Sequence, residues 1–334
     1  MSGGADAAPL NLPAAGEVVL DHVGLFVPDM ERAAEAFARL GFCLTPLSPQ
    51  RHRLAPGQPL VPAGTANRLA MLREGYIEIL TPIADTPVAA QLHAAITRYA
   101  GLHLIAFGGA AAAARAHLAA EGFGPQPVIA LERTVATAAG EGIARFSVVR
   151  VPPGTMAEGR VQYCQHHTPE LVWQEPRLAQ PNRAQALTDL VLCVADPAEA
   201  APRHGRFVGR RPRALAAGFV LSLDRGRLLF TDPPGLARLL PGTAVPALPF
   251  MAALAVTADD LAATRAVLAH NGVPVGEAGA GVLAAAMPGG IAGSICFVAE
   301  GAVAPWLAGL SPPAQVCGPR GRAPSPARPP RASS

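Results

Sequence analysis

Residues 20–29, Leu-Asp-His-Val-Gly-Leu-Phe-Val-Pro-Asp, form a short apolar run whose side chains divide between two faces. Asp21, Val23, Leu25 and Val27 share one side, and Leu20, His22, Gly24 and Phe26 share the other. A helix is predicted at once afterwards, with Asp29 as its N-cap, Ala33, Ala34, Phe37 and Leu40 as its apolar stripe, and Gly41 as its stop. His22 then belongs to the strand face turned away from that helix. Three more strands are expected near 42–47, 66–72 and 76–80. A Pro/Gly/Arg-rich loop over 48–64 and the turn Arg73-Glu74-Gly75 connect them.

The same strand-then-helix grammar returns three times. A connecting helix over 86–99 leads to the strand 101–107, an Ala-rich helix over 110–121 and the strands 144–151 and 159–167. Residues 187–196 then match 20–29 position for position, with Asp189 in the slot of His22. Residues 226–230 lie over 75–79 with Leu229 in place of Glu78. The fourth unit has a strand at 250–256, with Met251 or Ala252 near the histidine slot, a helix over 259–270 and a last strand at 294–299. Four β-α-β-β-β units in series predict an α+β fold of two paired domains. The division expected is a flexible leader 1–17, a first domain 18–175, a linker 176–186, a second, degenerate domain 187–309, and a disordered Pro/Arg/Ser-rich tail 310–334.

Composition narrows the function classes. Half of the 334 residues are hydrophobic, only 15% are charged and the net charge is +3. All the cations are arginine and, outside the tail, they are scattered, a pattern that reads as base-composition bias and gives no support to a nucleic-acid partner. Five cysteines without a C-x-x-C pair argue against both a disulfide framework and a thiolate zinc knuckle. No signal peptide is readable, and no apolar run reaches the roughly 18–20 residues of a membrane span. A soluble, cytoplasmic protein, monomer or homodimer, without membrane partner is expected.

Candidate chemistry sits on the strands. Glu78 falls in the middle of a strand among apolar neighbours, where a carboxylate needs a cation, donors or a proton. His103 stands near the start of the second unit's first strand. A shared Thr-Pro sets 78–82 over 165–169 and puts Gln165 where Glu78 was. His22, Glu78, His103 and Gln165 on one concave surface suit a divalent first-row cation: Zn, Ni, Fe, Co or Mn. Asn67 and Arg68 would lie beside that cleft to hold a substrate oxygen, although Arg68 equally suits a surface ion pair. Tyr76 and Trp173 either line the pocket or pack in the core.

At 20–29, 64–72 (Gly-Thr-Ala-Asn-Arg-Leu-Ala-Met-Leu), 76–80 (Tyr-Ile-Glu-Ile-Leu) and 165–173 (Gln-His-His-Thr-Pro-Glu-Leu-Val-Trp) the chain resembles the vicinal oxygen chelate superfamily. The nearest branch is that of glyoxalase-like domains. The resemblance implies metal ligands from first and last strands of paired units, here His22, Glu78 and His103, with Gln165 or His167 as the fourth; His166 should point away. It implies a metal-dependent enzyme, a glyoxalase-like isomerase or lyase, acting on a small substrate with vicinal oxygens. Glu78 would be its base, because the Gln165 amide takes up no proton near neutral pH. Three alternatives stay open: a metal-free binding protein of the bleomycin-resistance type, an Fe(II) extradiol-type dioxygenase, and a degenerate scaffold without ligand. Asp189, Leu229 and Met251 make the second half look metal-free.

Overall fold

The structure, a computed structural model, describes residues 12–53, 57–138 and 140–307. The tail and most of the leader expected from sequence lie outside them. In chain order the first half comprises β1 (Val19–Phe26), α1 (Met30–Arg39), β2 (Ser48–Arg53), β3 (Leu60–Met71), β4 (Tyr76–Pro82), α2 (Pro87–Arg98), β5 (Gly101–Gly108), α3 (Ala111–Ala120), β6 (Ile129–Thr137), β7 (Gly140–Arg150), β8 (Arg160–His166) and α4 (Pro169–Val172). The second half comprises β9 (Ala184–Cys193), α5 (Pro197–Val208), β10 (Arg213–Leu215), β11 (Gly218–Ser222), β12 (Arg227–Thr231), α6 (Pro233–Leu239), β13 (Phe250–Ala258), α7 (Leu261–His270), β14 (Gly276–Gly279), β15 (Val282–Ala286) and β16 (Ser294–Ala299).

The α+β arrangement of four β-α-β-β-β units is present, and the two halves use it differently. The first eight strands close into a barrel in the order β1-β4-β3-β2-β6-β7-β8-β5; the second eight form an open sheet, β10-β11-β12-β9-β13-β16-β15-β14. Closure runs through β2, which pairs with β3 on one side and with β6 on the other at Arg51–Glu132 and His52–Leu131. The strand expected at 42–47 contributes only a single bridge, Leu44–Ala70, and β2 lies inside the segment expected to be a loop. Its sequence, Ser-Pro-Gln-Arg-His-Arg, carries no apolar alternation because both its faces are partly wet.

α1 begins where Asp29 accepts a hydrogen bond from the Arg32 backbone N–H and buries Met30, Ala33, Ala36 and Phe37. Ala36 therefore takes the place expected for Ala34 on its apolar stripe. Gly41, at φ 78°, ends the turn where a left-handed residue is needed. Behind the sheets one apolar core runs without interruption. It takes Val23, Leu25, Ile105 and Phe107 from the barrel's outer face, and Leu190, Leu192, Leu254 and Phe297 from the second sheet. Within residues 176–186, Asn182 is buried, donates to the Leu40 carbonyl and accepts from the Ala184 N–H, and β9 starts at Ala184. No helix among the described residues is long and apolar enough to cross a membrane.

Candidate functional site

The barrel is hollow. Its cavity is lined by His22, Asn67, Tyr76, Glu78, Gln162 and Cys164 among the polar residues, and by Leu69, Leu80, Leu104 and Phe146 among the apolar ones. β1 and β4 run parallel with His22 opposite Tyr76 and Gly24 opposite Glu78. Gly24 is needed there, since a Cβ would stand 2.8 Å from the Leu104 Cβ across the seam to β5.

Glu78, a buried carboxylate, is held by donors. Its Oε1 accepts from Asn67 Nδ2 at 2.5 Å and from Gln50 Nε2 at 3.2 Å. Its Oε2 faces His22 Nε2 at 3.8 Å. On the other side of that imidazole, Nδ1 lies 2.6 Å from Asp21 Oδ2, and the Tyr76 ring stacks on it at 4.4 Å. His22 is thus clamped between a carboxylate and a phenol ring, with Nε2 aimed at Glu78. Burial works against ionisation of Asp21, but His166 and His22 together hold its carboxyl well below the usual carboxylate range. Burial, reinforced by Asp21, pushes the Tyr76 phenol and the Cys164 thiol well up, so both stay protonated.

Of the expected site residues, the structure brings His22, Glu78, Asn67 and Tyr76 together and leaves others out. His103 stacks on Tyr99 at 4.0 Å, its Nε2 2.8 Å from the Tyr99 carbonyl, and lines a separate cleft next to Phe26. Burial lowers its imidazole to about 4. Gln165 Oε1 accepts from the Ala111 N–H at the start of α3, outside the cavity. Exposed His167 bonds Ser147. His166, expected to point away, turns inward: its Nε2 is 3.0 Å from Asp21 Oδ2 and its ring packs against Phe146 and Trp173. Arg68 pairs with Glu31 on α1 at 2.9 Å. Trp173 packs edge-on to Tyr76 behind the cavity wall.

The cause is register. β5 shifts by one residue against β1 between Gly24 and Leu25, so Leu104, opposite Gly24, takes the cavity position and His103 turns outward. On β8, Gln162 pairs with Ala106 as Glu78 pairs with Gly24. Gln162 is therefore the counterpart of Glu78. Its Oε1 accepts from Arg150 Nε at 3.0 Å.

Tested against a divalent cation, this donor set fits in half. His22 Nε2 and Glu78 Oε2 suit adjacent ligand positions, and Asp21 behind His22 is the outer-shell carboxylate that ligating imidazoles use. The two facing slots hold Leu104 and an arginine-bound Gln162, so the expected four-ligand shell is not assembled. Another set does meet: one donor atom each from Asp21, Cys164 and His166, all buried, within 4.8 Å of one another.

Three half-buried arginines that sequence reasoning passed over also line the cavity: Arg133 on β6, Arg150 on β7 and Arg160 on β8. Each interrupts an otherwise strand-like segment, which was the signal available. Burial lowers all three guanidinium groups, Arg160 to about 9 with Arg150 beside it, and Glu78 pulls each back toward its charged form.

A family model described as "Glyoxalase-like domain" matches residues 20–207. None of the curated proteins matches the chain. Among solved structures, a hypothetical protein from Staphylococcus aureus is similar over 84% of this chain and 99% of its own, at 11% identity and TM-score 0.59. A triple mutant of 4-hydroxymandelate synthase from Streptomyces coelicolor is similar over 85% of this chain and 92% of its own, at 13% identity and TM-score 0.52. At these identities the likeness is one of fold.

Proposed function

The chain belongs to the glyoxalase-like domain family, within the vicinal oxygen chelate superfamily, and on that footing we propose that its barrel is the active site of an isomerase- or lyase-type enzyme acting on a small substrate with vicinal oxygens. The observation that carries this reading is the facing pair, Glu78 Oε2 and His22 Nε2 at 3.8 Å, on the wall of the barrel's cavity. Glu78 is the base. Asn67 and Gln50 occupy its other oxygen, so Oε2 is presented to the cavity and takes a proton from the carbon beside a substrate carbonyl. The electron pair left on carbon moves to the carbonyl oxygen. His22, whose Nδ1–H is held by the Asp21 carboxylate, takes the proton of the adjacent hydroxyl on its Nε2 lone pair and delivers it to the former carbonyl oxygen, while Glu78 returns its own proton to the neighbouring carbon, so that hydroxyl and carbonyl exchange places. Leu69, Leu80, Leu104 and Phe146 exclude water from the exchange. The reading is of a cytoplasmic protein, monomeric or dimeric.

The test is deuterium incorporation from D2O at the carbon next to the carbonyl, followed by NMR over a panel of 2-hydroxy ketones and 2-oxo acids. The wild-type chain is expected to exchange at least one of them, and Glu78→Gln to lose about 10²–10⁴-fold in rate while still binding. Exchange no faster than the uncatalysed rate across the panel overturns the proposal.

A second reading, a metal-dependent enzyme, is favoured by the Asp21, Cys164 and His166 cluster. A divalent ion there would supply a positive charge beside Asp21 and Lewis-acid chemistry to the cavity. Near-stoichiometric Zn, Ni, Fe or Mn in the purified full chain, lost in His166→Ala, selects it; metal-free protein with full exchange activity selects acid–base chemistry alone.

A further inference from the structure

The barrel wall carries more positive charge than its own groups neutralise. Arg133, Arg150 and Arg160 come from three neighbouring strands, β6, β7 and β8, and all line the cavity that holds Glu78. What each guanidinium touches is neutral. Arg150 Nε donates to Gln162, Arg160 Nη2 donates to Gln91, Arg160 lies over the Phe26 ring and Arg133 over the Phe146 ring. Among the described residues none of the three forms an ion pair. The other carboxylate lining the cavity, Glu132, is faced by Arg53 at 3.6 Å and Arg145 at 4.0 Å. Arg51, an exposed residue of the same lining, donates to the Leu60 carbonyl. Three half-buried guanidinium groups therefore share a single carboxylate, Glu78, already held by Asn67 and Gln50.

We infer that the cavity takes a small carboxylic acid with an apolar body, its carboxylate seated among Arg133, Arg150 and Arg160. Guanidinium groups supply paired N–H donors that match a carboxylate edge, and partial removal from water strengthens that bond. The apolar body follows from the rest of the lining: Leu69, Leu80, Val88, Leu104, Leu131 and Phe146 offer a surface that a sugar or a polyphosphate would leave unpaired. An organic cation is the least favoured substrate beside these arginines. This inference deepens the proposed function by naming the substrate class and uses the same cavity, yet it concerns charge recognition and not turnover.

The closing experiment is calorimetric titration of the full chain with 3-phenylpropanoate and with its neutral isostere 3-phenylpropanamide. The acid is expected to bind at least 10-fold tighter than the amide, and the preference to shrink at least 10-fold in Arg133→Gln and Arg160→Gln, with Arg133→Lys retaining part of it. Equal binding of acid and amide, binding of neither, or an unchanged preference in the glutamine variants overturns the inference. The wild-type comparison stands by itself if a variant fails to fold. Acid preference without deuterium exchange in any substrate keeps the inference and removes the proposed reaction; exchange without acid preference does the reverse.

Discussion

Where His22 lies opposite Tyr76 in the first sheet, Asp189 lies opposite Arg227 in the second; where Glu78 faces Gly24, Leu229 faces Val191. The backbone frame is shared and the contents differ. Asp189 is spent on Arg227, bonded through both Nε and Nη2 at 2.6 and 2.9 Å, and it also accepts from Trp306 Nε1. Trp306, Leu307, Leu236 and Leu240 cover the concave face against Val191, Phe250 and Ala253, leaving that side of the sheet apolar and filled. The edges differ as well: β2 is six residues long and reaches β6, whereas β10 and β14 have three and four and leave the second sheet open. A hollow barrel and a packed half-barrel thus follow from one repeat, decided by edge-strand length and by which residues from outside the sheet lie on its concave face.

That contrast can be attacked from its filled side first. Trp306→Ala, which deletes a fully buried ring, is expected to cost about 3–5 kcal/mol in denaturant unfolding. Binding in the barrel should remain unchanged; a loss of binding in folded variant protein would show that the two concave faces are not independent. A somewhat smaller effect is expected at the seam between them. His103 titrates near 4 when folded against about 6.5 unfolded, so the unfolded chain binds the extra proton first. Its contribution is therefore complete above about pH 6.5 and is lost as pH falls toward 4, roughly 3 kcal/mol in all. His103→Gln should flatten stability across that window without moving a deuterium-exchange pH profile; a moved profile would return His103 to the site. The smallest effect belongs to Arg68, whose partner Glu31 is mostly exposed. Arg68→Ala is expected to change stability by less than about 1 kcal/mol and leave ligand binding alone, as measured by the same titrations. Weakened binding would place Arg68 at the cavity after all.

Sequence carried the architecture well because it is written in strong periods. The run at 20–29, its return at 187–196 and the Glu78–Leu229 correspondence are all matched by strand register. The individual side chains of β5 and β8 were harder. A one-residue bulge beside Gly24 turns His103 outward, and nothing in Gly-Leu-His-Leu-Ile announces it. The Thr-Pro anchor failed for a related reason: Pro82 closes β4 whereas Pro169 opens α4. Equal distances from the two prolines therefore do not mark equal depths in the barrel. Asp21 was assigned to the helix-facing side of β1, while its carboxylate in fact bonds both His22 and His166. The arginines were legible one by one as charges inside strands, but their convergence depends on β6, β7 and β8 being neighbours, a property of pairing rather than of spacing.

The shared core behind the sheets has a practical corollary for shortening the gene. Residues 12–183 expressed alone would bare Val23, Leu25, Ile105 and Phe107 where Leu190, Leu192, Leu254 and Phe297 now cover them, and would cut the chain beside the buried Asn182. Such a fragment is expected to precipitate or pair with itself through that surface. On this account the second half covers the back of the first, and its surface residues are free to drift so long as that apolar contact survives.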